Sequence, residues 1–138
     1  MKAAEESRRW MIQVEADRKT IDVLYAGERY YMVCFLCQQT VEKALKAVLY
    51  LQGEDPVFGH SVTVLCDRCA AYDEAFSDLK SRIKNLDQFY IEARYPNGLP
   101  DQAPVDFFDA SDADDAITMT DLALATVRQK VRGGSREQ

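Results

Sequence analysis

Long apolar runs are missing from this sequence. No stretch is long enough to span a membrane, and the opening residues, MKAAEESRRW, lack the apolar core of a signal peptide. We therefore expect a cytoplasmic protein without membrane association, whose four cysteines stay reduced. Strand-like alternation, internal repeats and a domain linker are missing as well, so we expect a single all-α domain over residues 1–138.

Positive charge and histidine are also scarce. The 17 Lys and Arg residues are outnumbered by 23 Asp and Glu residues, which gives a net charge of -6 at pH 7. This balance argues against wrapping of DNA through its phosphates, although it leaves room for a local basic pocket. His60 is the only histidine, and therefore the one side chain that ordinarily changes charge near neutral pH. The length is sufficient for one core without a disulfide or a metal staple.

The segment Tyr30–Leu51 predicts a long central helix. Its apolar residues share one wide arc of the helix: Tyr30, Val33, Cys34, Cys37, Val41, Ala44, Leu45, Val48 and Leu51. The opposite side carries Gln39, Glu42, Lys43 and Lys46, but also Phe35 and Tyr50. A helix that is apolar around so much of its circumference must be covered from several directions. We expect it at the centre of a bundle, with room for a side shared with a second subunit.

Apolar spacing predicts four further helices. The first runs from Ala4 to about Leu24 and carries Asp17 within its apolar face of Trp10, Val14, Ile21 and Leu24. Ser61 is the predicted N-cap of a short third helix with Val62, Leu65, Cys66 and Cys69 inward.

The fourth helix is predicted over residues 73–92, with Phe76, Leu79, Ile83, Leu86 and Tyr90 inward, and ends before Pro96. The last helix is predicted to start at Ser111, with Asp114 in a weak capping box. Its core face comprises Ala113, Ala116, Ile117, Thr120, Leu124, Val127 and Val131.

Three segments together resemble a known family. They are CFLCQQTVEKALKAVL, His60-Ser61 followed by Leu65, and LDQFYIEARYP from Leu86 to Pro96. This combination resembles the HEPN domain family, the nucleotide-binding helical domains of prokaryotes and eukaryotes. The resemblance extends over residues 8–131, and residues 133–138 are expected to form a flexible tail.

The resemblance implies an up-and-down bundle of four long helices with a short additional helix, of the nucleotidyltransferase substrate-binding-subunit type. It also implies a homodimer and nucleotide or RNA chemistry, often beside a minimal nucleotidyltransferase in a toxin–antitoxin pair. Ribonucleases of the family use an arginine followed four to six residues later by a histidine. Here no arginine has a histidine at that spacing, since His60 precedes Arg94.

The function implied is therefore a nucleotide-binding or nucleotidyltransferase-partner component of a toxin–antitoxin-like module that is not catalytic alone. One alternative is a metal-independent endoribonuclease toxin, in which Arg94 holds the scissile phosphate and His60 transfers a proton. That alternative requires both side chains beside one phosphate. The other alternative is a purely structural, dimeric interaction module.

Two lysines of the central helix are candidates for phosphate binding. Lys43 and Lys46 lie about one turn apart, so their ammonium groups could hold a triphosphate, with Asp17, Gln39 and Glu42 as supporting polar groups. The alternative is a solvated face on which Glu42 and Lys46 form an i,i+4 ion pair.

His60 and Arg94 are the other candidates. His60 precedes a helix N-terminus, where it could contact a base or a phosphate, or simply close the turn onto the bundle. Arg94, with Tyr90 one turn earlier and Tyr95 beside it, suits a phosphate and a stacked base. It equally suits an ion pair with Asp17. By the resemblance, Tyr95 is also a candidate acceptor of AMP from a nucleotidyltransferase.

The pairs Cys34/Cys37 and Cys66/Cys69 have the spacing of a zinc site. Both pairs lie on apolar helical faces, where cysteine serves as a small hydrophobe. In a hairpin of the second and third helices, Cys37 would lie roughly 22 Å before the turn, and the second pair about 8 to 12 Å beyond it. The four sulfurs would not converge, so we expect no metal and no cofactor other than a bound nucleotide.

Overall fold

The computed structural model describes residues 2–137, and over this range the chain is helical without a strand, which confirms the all-α fold. The α-helices are α1 (Lys2–Ala26), α2 (Tyr30–Leu51), α3 (Val62–Ala70), α4 (Ala75–Ile83), α5 (Phe89–Glu92), α6 (Pro104–Phe107) and α7 (Ala110–Glu137). Two 3-10 helices occupy Lys84–Gln88 and Pro96–Gly98. None of the described helices combines the length and the apolar character that a membrane crossing requires.

Helix α2 is the central element of the bundle. It packs against α1 and α7 along its length, and α3, α5 and α6 cover its remaining surface. Fifteen of its 22 residues are buried, which confirms the central position predicted from its wide apolar arc. The solvated-face interpretation is wrong for Glu42 and Lys46, which are only 5% and 7% exposed. Helical periodicity alone could not show this, because the groups that cover them come from other parts of the chain.

Helices α1 and α7 lie antiparallel on the same side of the molecule. Two ion pairs join them, from Arg18 to Asp121 at 2.7 Å and from Arg128 to Glu15 at 2.6 Å. Their inward faces are close to those predicted: the buried side chains include Val14, Asp17 and Ile21 of α1 and Ala113, Ala116, Thr120, Leu124 and Val127 of α7. These residues join those of α2, α3 and α4 in one continuous core.

The predicted fourth helix is interrupted. It comprises α4, the 3-10 helix Lys84–Gln88 and α5, because the chain tightens to three residues per turn after Ile83. The inward positions then follow at intervals of three, so Phe89 rather than Tyr90 enters the core after Leu86. Tyr90 is half-buried and remains available at the surface.

The N-terminal boundary of α7 also differs from the prediction. Asp109 and Asp112 form the reciprocal box, in which the backbone N–H of each donates to the carboxylate of the other at 2.9 and 3.1 Å. Ser111 therefore lies inside the helix and is not its cap. The helix continues through Glu137, and Gln138, the end of the predicted flexible tail, lies outside the described residues.

Candidate functional site

Arg94 lies among three aromatic rings where α5 ends. Its guanidinium carbon is 4.6 Å from the ring centroids of both Phe35 and Tyr90, and 5.0 Å from that of Tyr95. Its Nε donates to the backbone carbonyl of Tyr90 at 2.6 Å, which fixes the side chain against its own helix. Asp17 is engaged elsewhere, so the predicted Arg94–Asp17 ion pair does not form. Over residues 2–133, no carboxylate lies within ion-pair distance of Arg94.

His60 approaches the same tyrosine from the loop between α2 and α3. Its ring stacks on Tyr90, with the centroids 4.8 Å apart and the planes 20° from parallel. Its Nδ1 lies 3.1 Å from Oε1 of Glu42, and its side chain is 60% exposed. We call His60, Tyr90, Arg94, Tyr95 and Phe35 the Tyr90 cluster.

The loop that carries His60 is held at two points. The buried side chain of Gln38 donates to the backbone carbonyl of His60 at 2.7 Å. Asp87, in the 3-10 helix before α5, accepts from the backbone N–H of Val62 at 2.6 Å and from the hydroxyls of Ser61 and Thr63 at 2.9 Å. Asp87 thus joins the segment that carries His60 to the segment that carries Tyr90.

The two lysines of α2 do not converge with Arg94 on one pocket. Lys43 donates to Asp17 at 2.6 Å and lies at a groove of about 390 Å³ on the α1 side, lined by Glu6, Arg9, Trp10 and Gln13. The Lys46 ammonium lies 3.3 Å from Glu42 and 5.8 Å from the centroid of the Trp10 ring. Each ammonium is therefore matched by a carboxylate inside the protein, which leaves little charge for a triphosphate.

Of the residues predicted for the site, the structure brings His60, Tyr90, Arg94 and Tyr95 together, with Glu42 directly behind His60. Gln39 donates to the side-chain oxygen of Gln38 at 2.7 Å, and Gln38 in turn holds the loop that carries His60. Since His60 and Arg94 both contact the Tyr90 ring, they do not lie at opposite ends of the bundle, which is the arrangement that would have ruled out the ribonuclease alternative.

The comparisons with known proteins agree with this architecture. The sequence profile of the HEPN domain matches residues 7–130. The chain belongs to the HEPN domain family. A comparison with curated proteins finds no match.

Two solved structures resemble this HEPN chain over nearly its whole length. TT1696 from Thermus thermophilus is 28% identical, with a TM-score of 0.85, and the match covers 94% of this chain and 99% of that one. ST0689, described as an archaeal HEPN homologue, is 30% identical, with a TM-score of 0.74, and the match covers 91% of this chain and 97% of that one. Both matches show that proteins of similar length share this fold.

The four cysteines of this HEPN protein are buried and free. Burial raises the pKa of the Cys37 thiol and of the Cys66 thiol to about 12, so neither carries a thiolate at neutral pH. It also raises the pKa values of Cys34 and Cys69. Over residues 2–133, no group of three or more His, Cys, Asp or Glu side chains is arranged to hold a metal ion.

Sequence analysis missed three contributors to the site: Phe35, Gln38 and Asp87. Phe35 had a visible signal, because it is an aromatic residue on the side of α2 that also carries charged residues. Gln38 and Asp87 act on segments at least 20 residues away in the chain, and no local pattern indicates such contacts.

Proposed function

We propose that this HEPN protein binds a nucleotide at the Tyr90 cluster and works as the nucleotide-binding component of a toxin–antitoxin-like module, beside a minimal nucleotidyltransferase. In this proposal the protein is not catalytic alone. The observation that carries it is the position of Arg94, a half-buried guanidinium surrounded by aromatic rings, with no carboxylate of residues 2–133 within ion-pair distance.

The chemistry of Arg94 suits a phosphate. Its Nε is used by the carbonyl of Tyr90, but the terminal nitrogens of the guanidinium still offer donors in a planar fork that matches phosphate oxygens. The aromatic rings hold the fork in place without neutralising it, because a cation–π contact leaves the formal charge intact.

Exposed rings beside Arg94 provide surfaces for a base. Tyr95 is 48% exposed and its ring centroid lies 5.0 Å from the guanidinium carbon, and His60 stacks on Tyr90 beside it. Stacking of a base on such a ring contributes about 1 to 3 kcal/mol and tolerates any base. The cluster therefore supports recognition of a nucleotide through its phosphate and a ring face, with weak preference among bases.

Calorimetric titration of the purified protein with ATP, GTP, CTP and UTP tests the proposal. We expect micromolar binding, a loss of at least about tenfold in Arg94→Ala, and partial retention in Arg94→Lys, which keeps the charge but not the fork. Arg82→Ala is the matched control, since Arg82 is an exposed arginine of α4. Binding that survives Arg94→Ala, or the absence of binding heat with all four nucleotides, would contradict the proposal.

A second candidate function, a metal-independent endoribonuclease, is favoured by one observation. His60 and Arg94 contact the same ring, which brings an imidazole that can move a proton and a guanidinium that can bind phosphate into one cluster. Incubation of single-stranded RNA with the protein and a metal chelator tests this function. Cleavage lost in both His60→Ala and Arg94→Ala would support it, and intact RNA under conditions where nucleotides bind would exclude it.

A further inference from the structure

The contact between His60 and Glu42 determines which ring nitrogen of His60 carries the proton. Nδ1 lies 3.1 Å from a carboxylate oxygen of Glu42, whose other oxygen lies 3.3 Å from the Lys46 ammonium. A carboxylate paired with a cation accepts hydrogen bonds but does not donate, so Nδ1 must be the donor in this contact. Over residues 2–133, the second nitrogen, Nε2, has no hydrogen-bond partner, and the ring is largely exposed.

This tautomer has a consequence for anions. In neutral His60 with Nδ1 protonated, Nε2 carries a lone pair and can only accept. A phosphate oxygen is also an acceptor, so neutral His60 cannot hydrogen-bond to it. Once Nε2 is protonated, the same atom becomes a charged donor on the exposed ring of His60.

The charged groups around His60 sum to zero net charge while its ring is neutral. They come from α2, from the 3-10 helix and from α5: Glu42, Lys46, Asp87, Tyr90 and Arg94. Glu42 is balanced by Lys46, and Asp87 is occupied by donors of residues 61–63. The charges of Glu42 and Asp87 thus match those of Lys46 and Arg94, so a proton on His60 makes the net charge of this set positive, beside the same tyrosine.

We propose that Glu42 is a positioning residue that holds His60 with Nδ1 protonated, and that it thereby makes phosphate binding at the Tyr90 cluster depend on pH. The inference rests on the proposed function, because it assigns the regulation of the same nucleotide site. Binding of a phosphate therefore favours protonation of Nε2 and is stronger where His60 is charged. Without Glu42 the ring is free to place its proton on Nε2, and neutral His60 can then donate to phosphate at any pH.

Nitrogen NMR of the uniformly labelled protein tests the positioning role directly, because a single histidine gives a single, unambiguous set of ring signals. At pH 8.5 we expect the Nδ1-protonated tautomer in the wild type. The double substitution Glu42→Leu with Lys46→Met removes both buried charges together, and we expect the Nε2-protonated form to become dominant in it. Glu15→Gln, which alters a carboxylate paired with Arg128, is the control. If the neutral His60 ring of the wild type carries its proton on Nε2 at pH 8.5, that result alone overturns the inference.

Calorimetric titration with a dinucleoside monophosphate between pH 5.5 and 8.5 tests the regulation, since the charge of a phosphodiester is constant over this range. We expect binding to weaken by about tenfold as pH rises, as for loss of one hydrogen bond between charged groups. Two buffers of different ionisation enthalpy should report proton uptake on binding that is largest where the affinity changes most steeply with pH, at about half a proton per phosphate bound for a tenfold change.

The outcomes separate this inference from the proposed function. Binding that is present and independent of pH in the wild type would overturn the regulation and leave the nucleotide site standing. Absence of binding at every pH, with the Nδ1-protonated tautomer observed, would overturn the proposed function and with it the regulation. Loss of the pH dependence in His60→Gln and in the double variant, but not in Glu15→Gln, would support the inference.

Discussion

Individual polar residues inside this bundle are matched with partners. Asp17 accepts from Lys43 and Gln13, and Glu42 is matched by Lys46. The matching explains how α2 can bury charges that periodicity assigns to solvent, because an unpaired buried charge would cost several kcal/mol. Over residues 2–133, the Ser7 hydroxyl is the buried side-chain group that lacks a hydrogen-bond partner.

The buried thiols make a prediction about alkaline pH. Burial raises the pKa of Cys66 to about 12, and the other three thiols are also raised, whereas an unfolded thiol titrates near 8.5. Below pH 8.5 the thiols are mainly protonated in both the folded and the unfolded chain. Above it the unfolded chain loses protons first, so the free energy of unfolding should fall by about 1.4 kcal/mol per pH unit for each thiol.

Urea unfolding at pH 8 and pH 9.5 under a reducing agent measures this slope. Cys66→Ala should reduce the thiol contribution to the slope by about a quarter, because one of four titrating groups is removed. Ser77→Ala, at an exposed position of α4, should leave the slope unchanged. An identical slope in Cys66→Ala would refute the assignment of this pH dependence to the buried thiols.

At the scale of the elements, sequence reasoning succeeded where apolar spacing is long and regular. The bounds Tyr30–Leu51 of α2 match the prediction, and the inward residues of α3 are those expected. It failed for the interrupted fourth helix, because a 3-10 turn and an α-turn place apolar residues at nearly the same spacing. The prediction therefore placed Tyr90 in the core, whereas the structure places it, half-buried, at the surface.

The candidate site was predictable as a set of residue types but not as an arrangement. Arg94, Tyr90 and Tyr95 lie within six consecutive residues, so their association follows from local geometry. The stacking of His60 on Tyr90 joins segments 30 residues apart, and it depends on how the 3-10 helix docks on the start of α3. Such long-range contacts are set by tertiary packing, which a helical pattern does not contain.

Asp87 should be the residue on which that docking depends most. Its carboxylate accepts from two backbone N–H groups and two hydroxyls at the N-terminus of α3, where the helix dipole also favours a negative charge. Asp87→Ala should lower the free energy of unfolding by about 2 to 3 kcal/mol, measured by urea denaturation. Asp78→Ala, an exposed carboxylate of α4, should change it by less than about 0.5 kcal/mol. Equal effects of the two substitutions would show that Asp87 has no special role.

For the whole molecule, we propose that the outer face of α1 binds a second copy of the chain. Met11, Ile12 and Ala16 line an apolar groove of about 430 Å³ there, with Arg8, Glu15 and Lys19 at its edges. Ile12 is 61% exposed in the isolated chain. An antiparallel pairing of two α1 helices centred on Ile12 would place Arg9 of one protomer near Glu15 of its partner, as two-fold symmetry allows.

A homodimer through this face predicts a clear result in solution. Sedimentation equilibrium should give a dimer for the wild type and a monomer for Ile12→Glu, because a carboxylate would be buried at the centre of the contact. Phe58→Glu is the control, since Phe58 is 76% exposed but lies in the loop after α2. A wild-type monomer, or a dimer that withstands Ile12→Glu, would exclude this interface.

The position of Trp10 gives the protein an optical signal of its own. It is the only tryptophan; its ring stacks on Tyr50 at 5.2 Å, and the Lys46 ammonium lies beside it. Indole emission responds to nearby charge, and Lys46 is linked through Glu42 to His60. A change of charge at His60 would therefore alter the fluorescence of a residue on a different helix, so occupancy of the Tyr90 cluster could be followed without any added label.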